Sequence, residues 1–212
     1  MLDPIAQRWL QPPLDAIAAR LQRAGVGADA VTLVGFAIGV AAAAAIAWQA
    51  WLLGLLLLLT SRLCDGIDGA LARLTRPTDA GAFLDITLDF LFYAGIPVGF
   101  ALADPAVNAL PAALLIASFV GTGSSFLAFA VLAERRGLPA NAAYPSKGLH
   151  YLGGLTGASE TLLCFTLMCL WPAQFAPFAF VFAALCALTT VTRIVGGWST
   201  LRALELPGER DR

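Results

Sequence analysis

The residues of this chain that could do chemistry are crowded between Cys64 and Phe90, where the sequence reads CDGIDGALARLTRPTDAGAFLDITLDF. That stretch sets Asp65, Asp68, Asp85 and Asp89 inside a protein otherwise too apolar to hold loose charge. Carboxylates beside hydrocarbon are costly, so an acidic cluster there marks function and calls for a cation. Residues three or four apart share a helix face, with Cβ atoms roughly 5–6 Å apart. The spacing therefore predicts Asp65 with Asp68 on one helix face and Asp85 with Asp89 on the next. Arg73, Arg76, Pro77 and Thr78 form a polar turn that folds the second helix back on the first, so that the four carboxylates converge. Carboxylate oxygens are the ligands that Mg²⁺ and Mn²⁺ favour. Two such ions can clamp a phosphoryl group between its attacking and leaving oxygens. Phosphoryl transfer is the chemistry this pattern fits.

After Asp68 come Gly69, Ala72 and Arg73, small side chains on the metal face and one guanidinium a turn away. Small residues let a bulky ligand approach the backbone, and a guanidinium matches phosphate oxygens in a bidentate fork. A pyrophosphate could lie there. With these positions filled, the stretch resembles the signature of the CDP-alcohol phosphatidyltransferases: Asp, two residues, Asp-Gly, two residues, Ala-Arg, a spacer, Gly, three residues, Asp, three residues, Asp. Here it is carried by Asp65, Asp68-Gly69, Ala72-Arg73, Gly81, Asp85 and Asp89, with a spacer from Leu74 to Ala80 one residue shorter than the usual form.

The resemblance implies transfer of a phosphatidyl group from CDP-diacylglycerol, or a similar CDP-alcohol, to a small alcohol acceptor, with release of CMP. It implies two bound ions, Mg²⁺ or Mn²⁺, one held by Asp65, Asp68 and Asp85 and the other by Asp65, Asp85 and Asp89. Asp89 is by the same resemblance the general base. Gly69 and Arg73 hold the CDP moiety, Thr78 matches the family's hydroxyl contact, and Asp29, in the segment from Ala28 to Val31, faces the cytidine. Helix capping explains Asp29 equally well. A homodimer is also implied.

The elements that must position these groups are membrane helices. The chain is 59% hydrophobic and 13% charged, against about 25% charged in an ordinary soluble domain. A run of about 20 apolar residues crosses a bilayer, and six spans are predicted, at 28–48, 51–73, 80–103, 108–133, 148–171 and 175–201. The fold class is all-α, a polytopic membrane protein with one domain over residues 1–204 and a charged tail at 205–212. Residues 1–25 mix Ile5, Trp9, Leu14, Ile17 and Leu21 with Arg8, Asp15, Arg20 and Arg23, an amphipathic pattern suited to a helix in the headgroup layer of the membrane lipid. A packed or partner-binding helix is the alternative. Asp29 and Thr32 can cap the first span, and Gly35 with Gly39 offers a small face for close helix packing.

The links near 49, 105 and 174 contain no Lys or Arg, whereas the amino terminus, the turn at 73–76, the loop at 135–147 and the tail are basic. The positive-inside rule places the termini and the aspartates on the cytoplasmic side, and a bacterial inner membrane is the expected location. Arg62 and Arg193 lie within spans. Lys147 and Arg193 could bind an acceptor that carries phosphate; alternatively Lys147 snorkels to the interface and Arg193 pairs with Glu160 or an aspartate. Cys64, Cys164, Cys169 and Cys186 show no metal spacing and read as small hydrophobes, and His150 as a helix-end side chain. No nucleic-acid partner is expected. Two rivals stand beside the enzyme. A divalent-cation transporter would use the aspartates as its ion site but has no need of Gly69, Ala72 and Arg73, and a degenerate relative would bind nucleotide without turnover.

Overall fold

The computed structural model describes residues 3–137 and 156–205, with side chains from Gln11 onward, and every extended element within them is helical. In chain order these are α1 (Asp3–Arg23), α2 (Ala28–Ala47), α3 (Trp51–Leu74), α4 (Asp79–Ala103), α5 (Pro105–Arg135), α6 (Ala158–Leu170) and α7 (Phe175–Ala203), with a single 3₁₀ turn at Pro172–Gln174. The boundaries follow local chemistry. Thr75 returns its hydroxyl to the Leu71 carbonyl at 2.8 Å as α3 ends, and Pro77 then bars the residue before it from continuing the helix. Asp104 caps α5 through a bond from the Val107 N–H, with Pro105 in the first turn where it needs no donor.

The helices pack into a bundle with two apolar clusters at opposite ends. In the larger one Phe100 stacks on Phe175 at 4.4 Å and on Trp51 at 5.7 Å, surrounded by Ile46, Leu58, Ile96, Leu115 and Phe165, all fully buried. The smaller cluster joins Ala18 of α1 and Val31 of α2 to Ile67, Ala70 and Leu71 of α3. The predicted interfacial helix is thus α1, and its apolar side chains Leu14, Ile17 and Leu21 are turned onto α3, as the packed-helix alternative has it. The acidic stretch of α3 lies at the end of the smaller cluster, with Asp68 between Ile67 and Ala70.

Among the described residues, four helices are long and apolar enough to cross a membrane: α2, α4, α5 and α7 with its preceding turn. Of the other two predicted spans, α3 interrupts its leucine run with Arg62, Asp65 and Asp68, and α6 has 13 residues, the start of its predicted span lying outside the described residues. Leu52, Leu53, Leu56 and Leu59 of α3 nevertheless point outward, exposed like Val34 and Val40 of α2. Gly35 and Gly39 act as the sequence suggests. A methyl group at Gly35 would press on Cys64, and one at Gly39 on Phe92, so both glycines let α2 lie close against α3 and α4. The expected capping by Asp29 and Thr32 is corrected: Gly27 caps α2 without a side-chain bond, and Thr32 donates its hydroxyl to the Ala28 carbonyl one turn back.

Candidate active site and metal centre

The acidic site forms where α3 and α4 run side by side against α2. Asp65 and Asp68, three apart on α3, face Asp85, in the second turn of α4, and the three bring carboxylate oxygens within 4.8 Å of one another. Thr78 aligns α4 for this by accepting a bond from the Gly81 N–H at 3.0 Å as the helix N-cap. Asp68 is the most enclosed of the set, 5% exposed, and its Oδ2 is buried without a hydrogen-bond partner. An orphaned buried carboxylate oxygen beside two more carboxylates is costly unless a cation completes it. The donor set is all oxygen and anionic, which fits a hard divalent ion such as Mg²⁺ or Mn²⁺.

Asp89 lines the same small cavity as the other three acids and is also paired with an arginine. Its Oδ1 accepts a hydrogen bond from Arg62 Nη1 at 2.5 Å, and the same Nη1 lies 3.4 Å from Asp65 Oδ1. The Arg62 guanidinium sits over the Phe92 ring at 3.7 Å, and its side chain is only 12% exposed. An arginine that the sequence reading left as a residue within a span is therefore part of the site. Its signal was present, because Arg62 precedes Asp65 by three residues and so shares its helix face.

Two cavities meet at the carboxylates. The first, about 10 Å³, is lined by Arg62, Asp65, Asp68, Asp85 and Asp89 with Ser61 and Thr32, and has room for a single water-sized occupant. The second, about 180 Å³, shares Thr32, Asp68 and Asp85 with the first and extends along Asp29, Gly69, Ala72, Arg76, Thr78 and Gly81. Three of the residues expected at a CDP moiety, Asp29, Gly69 and Thr78, therefore line one cavity beside the acids. Gly81 makes the close approach possible: a Cβ there would stand 3.0 Å from Asp29 Oδ1 and 3.1 Å from Thr78 Oγ1. Arg73 is half exposed and turns toward Asp15 of α1 at 4.0 Å, while Arg76, which the sequence reading used only as a turn residue, lines the cavity. Arg193 lines neither cavity and donates to the Thr122 carbonyl of α5 at 2.9 Å over the Phe126 ring. Lys147 lies outside the described residues.

Comparison with known proteins points the same way. The profile of the CDP-alcohol phosphatidyltransferase family matches residues 26–199. The chain is 51% identical over 205 residues to the inner membrane protein YnjF of Escherichia coli, covering 97% of this chain and 99% of that one. It is 40% identical over 97 residues to an archaetidylinositol phosphate synthase of Methanothermobacter thermautotrophicus, 45% of this chain and 46% of the relative. Its fold is similar to that of the phosphatidylinositol phosphate synthase of Mycobacterium tuberculosis. The crystal structure of that enzyme with CDP-DAG bound has a TM-score of 0.69 at 22% identity, over 94% of this chain and 97% of that one. Its complex with manganese and citrate has a TM-score of 0.62 at 21% identity, over 94% and 92%.

Proposed function

Because this chain belongs to the CDP-alcohol phosphatidyltransferase family and is an enzyme of that class, we propose that it moves a phosphatidyl group from CDP-diacylglycerol, or a closely similar CDP-alcohol, to a small alcohol in phospholipid biosynthesis. The observation that carries this reading is the shared wall. Asp68 and Asp85 belong both to the carboxylate cluster and to the cavity lined by Asp29, Gly69, Thr78 and Gly81. A pyrophosphate whose nucleoside end fills that cavity has its phosphates beside the acids.

Asp65, Asp68 and Asp85 would hold one divalent ion, and Asp65, Asp85 and Asp89 a second. When bound, such ions neutralise charge that grows on the phosphate oxygens. The residues of the chain do the rest. Asp29, Gly69 and Thr78 seat the CDP moiety, Thr78 retaining a hydroxyl proton to donate while it caps α4. Arg73, one turn from Gly69, would hold the CDP moiety with it, and Arg76 of the cavity wall would add a second cation. Asp89 takes the proton of the acceptor hydroxyl. The freed oxygen forms a bond to the β-phosphorus, the bond from that phosphorus to the bridging oxygen breaks, and CMP leaves with the electron pair. No covalent enzyme intermediate is needed.

An acceptor carrying phosphate would meet Arg193 and Lys147. The two inositol-phosphate lipid synthases among the relatives put inositol phosphate first among candidates, ahead of glycerol 3-phosphate, inositol and serine. The reading includes six spans, with α3 and α6 completing the four, a homodimer, and a cytoplasmic site in the inner membrane, the compartment named for the Escherichia coli relative. Two of the relatives are named as synthases, and the ion-transport reading has no observation in its favour. The test is CMP release from CDP-diacylglycerol by purified protein in detergent with Mg²⁺ or Mn²⁺ and a panel of those alcohols. Release that depends on one alcohol and on the metal, and is lost in Asp89→Asn, supports the proposal. Ion flux in liposomes without CMP release overturns it.

A further inference from the structure

The Arg62 guanidinium occupies the Asp89 half of the acidic site. It bridges Asp89 and Asp65, two of the carboxylates that a second divalent ion would need, and is held there by the Phe92 and Tyr93 rings at 3.7 and 5.6 Å. Asp65, Asp68 and Asp85 gather around a space of about 10 Å³, room for one ion, whose wall Arg62 and Asp89 complete. The two halves of the cluster are therefore unequal. Asp68 and Asp85 have no ion pair among the described residues, whereas Asp65 and Asp89 already share a cation supplied by the chain.

From this geometry we infer that Arg62 is a resident cation that competes with the second divalent ion for Asp89, so that the two ions bind in sequence and the second enters together with the pyrophosphate of the nucleotide substrate. Two divalent ions alone balance four carboxylates, and a guanidinium in the same low-dielectric space leaves an excess positive charge that repels the second ion. The doubly anionic pyrophosphate reverses that excess and offers the guanidinium new oxygen partners in place of Asp89. Release of Asp89 from Arg62 also frees the oxygen needed to accept the proton of the attacking alcohol. Arg62 is thus a positioning residue that keeps the base occupied until substrate is present. The inference rests on the metal-dependent reading above and deepens it.

The experiment is a Mn²⁺ titration of the whole protein in detergent, followed by the electron paramagnetic resonance of free and spin-coupled Mn²⁺, with and without CDP as the probe. The wild type is expected to bind one Mn²⁺ without CDP and a second about tenfold or more weaker, and CDP to close that gap. Arg62→Met, which keeps an apolar stem against Phe92, should bind both ions with similar affinity and show the coupled signal without CDP. Arg62→Lys, which restores the charge, should return the sequential order. If Arg62→Met does not fold, Arg62→Gln takes its place, and the wild-type titration with and without CDP decides by itself. Two ions of equal affinity in the wild type without CDP, or a second affinity unchanged in the charge-removing variant Arg62→Met or Arg62→Gln, overturns the role of Arg62 alone. A wild type that binds no Mn²⁺ overturns the metal reading and this inference together.

Discussion

The two ends of the helix bundle solve opposite problems. At one end Trp51, Phe100 and Phe175 stack in a buried apolar cluster, and short turns near 49, 104 and 172 close it. At the other end Asp68 keeps a buried oxygen without a partner, carboxylates crowd one another, and glycines hold cavities open. The aromatic end stores stability in contacts among neutral groups. The acidic end holds charge that a ligand must complete. Stability and chemistry are thus separated along the bundle axis, and each end should respond to a different kind of damage.

The largest effects fall on the acidic end. Asp85→Asn is expected to lower CMP release by at least about 10²–10³-fold, the scale for losing a main electrostatic group of an active site, while thermal unfolding in detergent stays put or rises because a repulsive carboxylate is gone. A clear fall in unfolding temperature would show instead that the acids hold the fold. Chelation should act in the same direction: EDTA is expected to abolish CMP release with no change in helical circular dichroism, and added Mn²⁺ to restore it.

Phe100→Ala probes the opposite end. Loss of a fully buried aromatic side chain costs about 3–5 kcal/mol, read as a marked drop in unfolding temperature, whereas kcat per folded molecule should stay within about twofold of wild type. A kcat that falls with stability would break the separation. Gly81→Ala sharpens the picture at the cavity, because its methyl group would meet Asp29 and Thr78. KM for the CDP substrate is expected to rise about tenfold, roughly 1.4 kcal/mol of lost binding, with little change in unfolding temperature. The smallest effect belongs to Thr78→Ala, which removes the cap of α4 and costs about 1 kcal/mol; a few-fold rise in KM measured beside it would add the role at the nucleotide.

Much of this was legible from local spacing. Helical periodicity around Asp65, Asp68, Asp85 and Asp89 places them on facing surfaces, and the helices found at 51–74 and 79–103 agree with spans drawn from hydropathy at 51–73 and 80–103. Gly35 and Gly39 were readable as contact points for the same reason. What escaped depends on how one helix is turned and shifted against another. The amphipathic residues 1–25 suit a lipid surface and a protein surface alike, and only the placement of Ala18 against Ala70 and Leu71 shows a protein surface taken. Arg73 and Arg76 sit three apart, and the turn between α3 and α4 decides that Arg76 lines the cavity.

By itself the sequence determined the acidic signature, the apolar helices that carry it and the class of chemistry, because these rest on side-chain type and on a helical period that holds within a single element. The partners of those acids were decided by tertiary structure. Arg62 and Asp89 are 27 positions apart, and their pairing needs the rotation of α3 against α4, the Phe92 ring beneath the guanidinium and the close seat of α2 on Gly35 and Gly39. No spacing along one helix encodes those three together, since each is a contact between surfaces that meet only when the bundle closes.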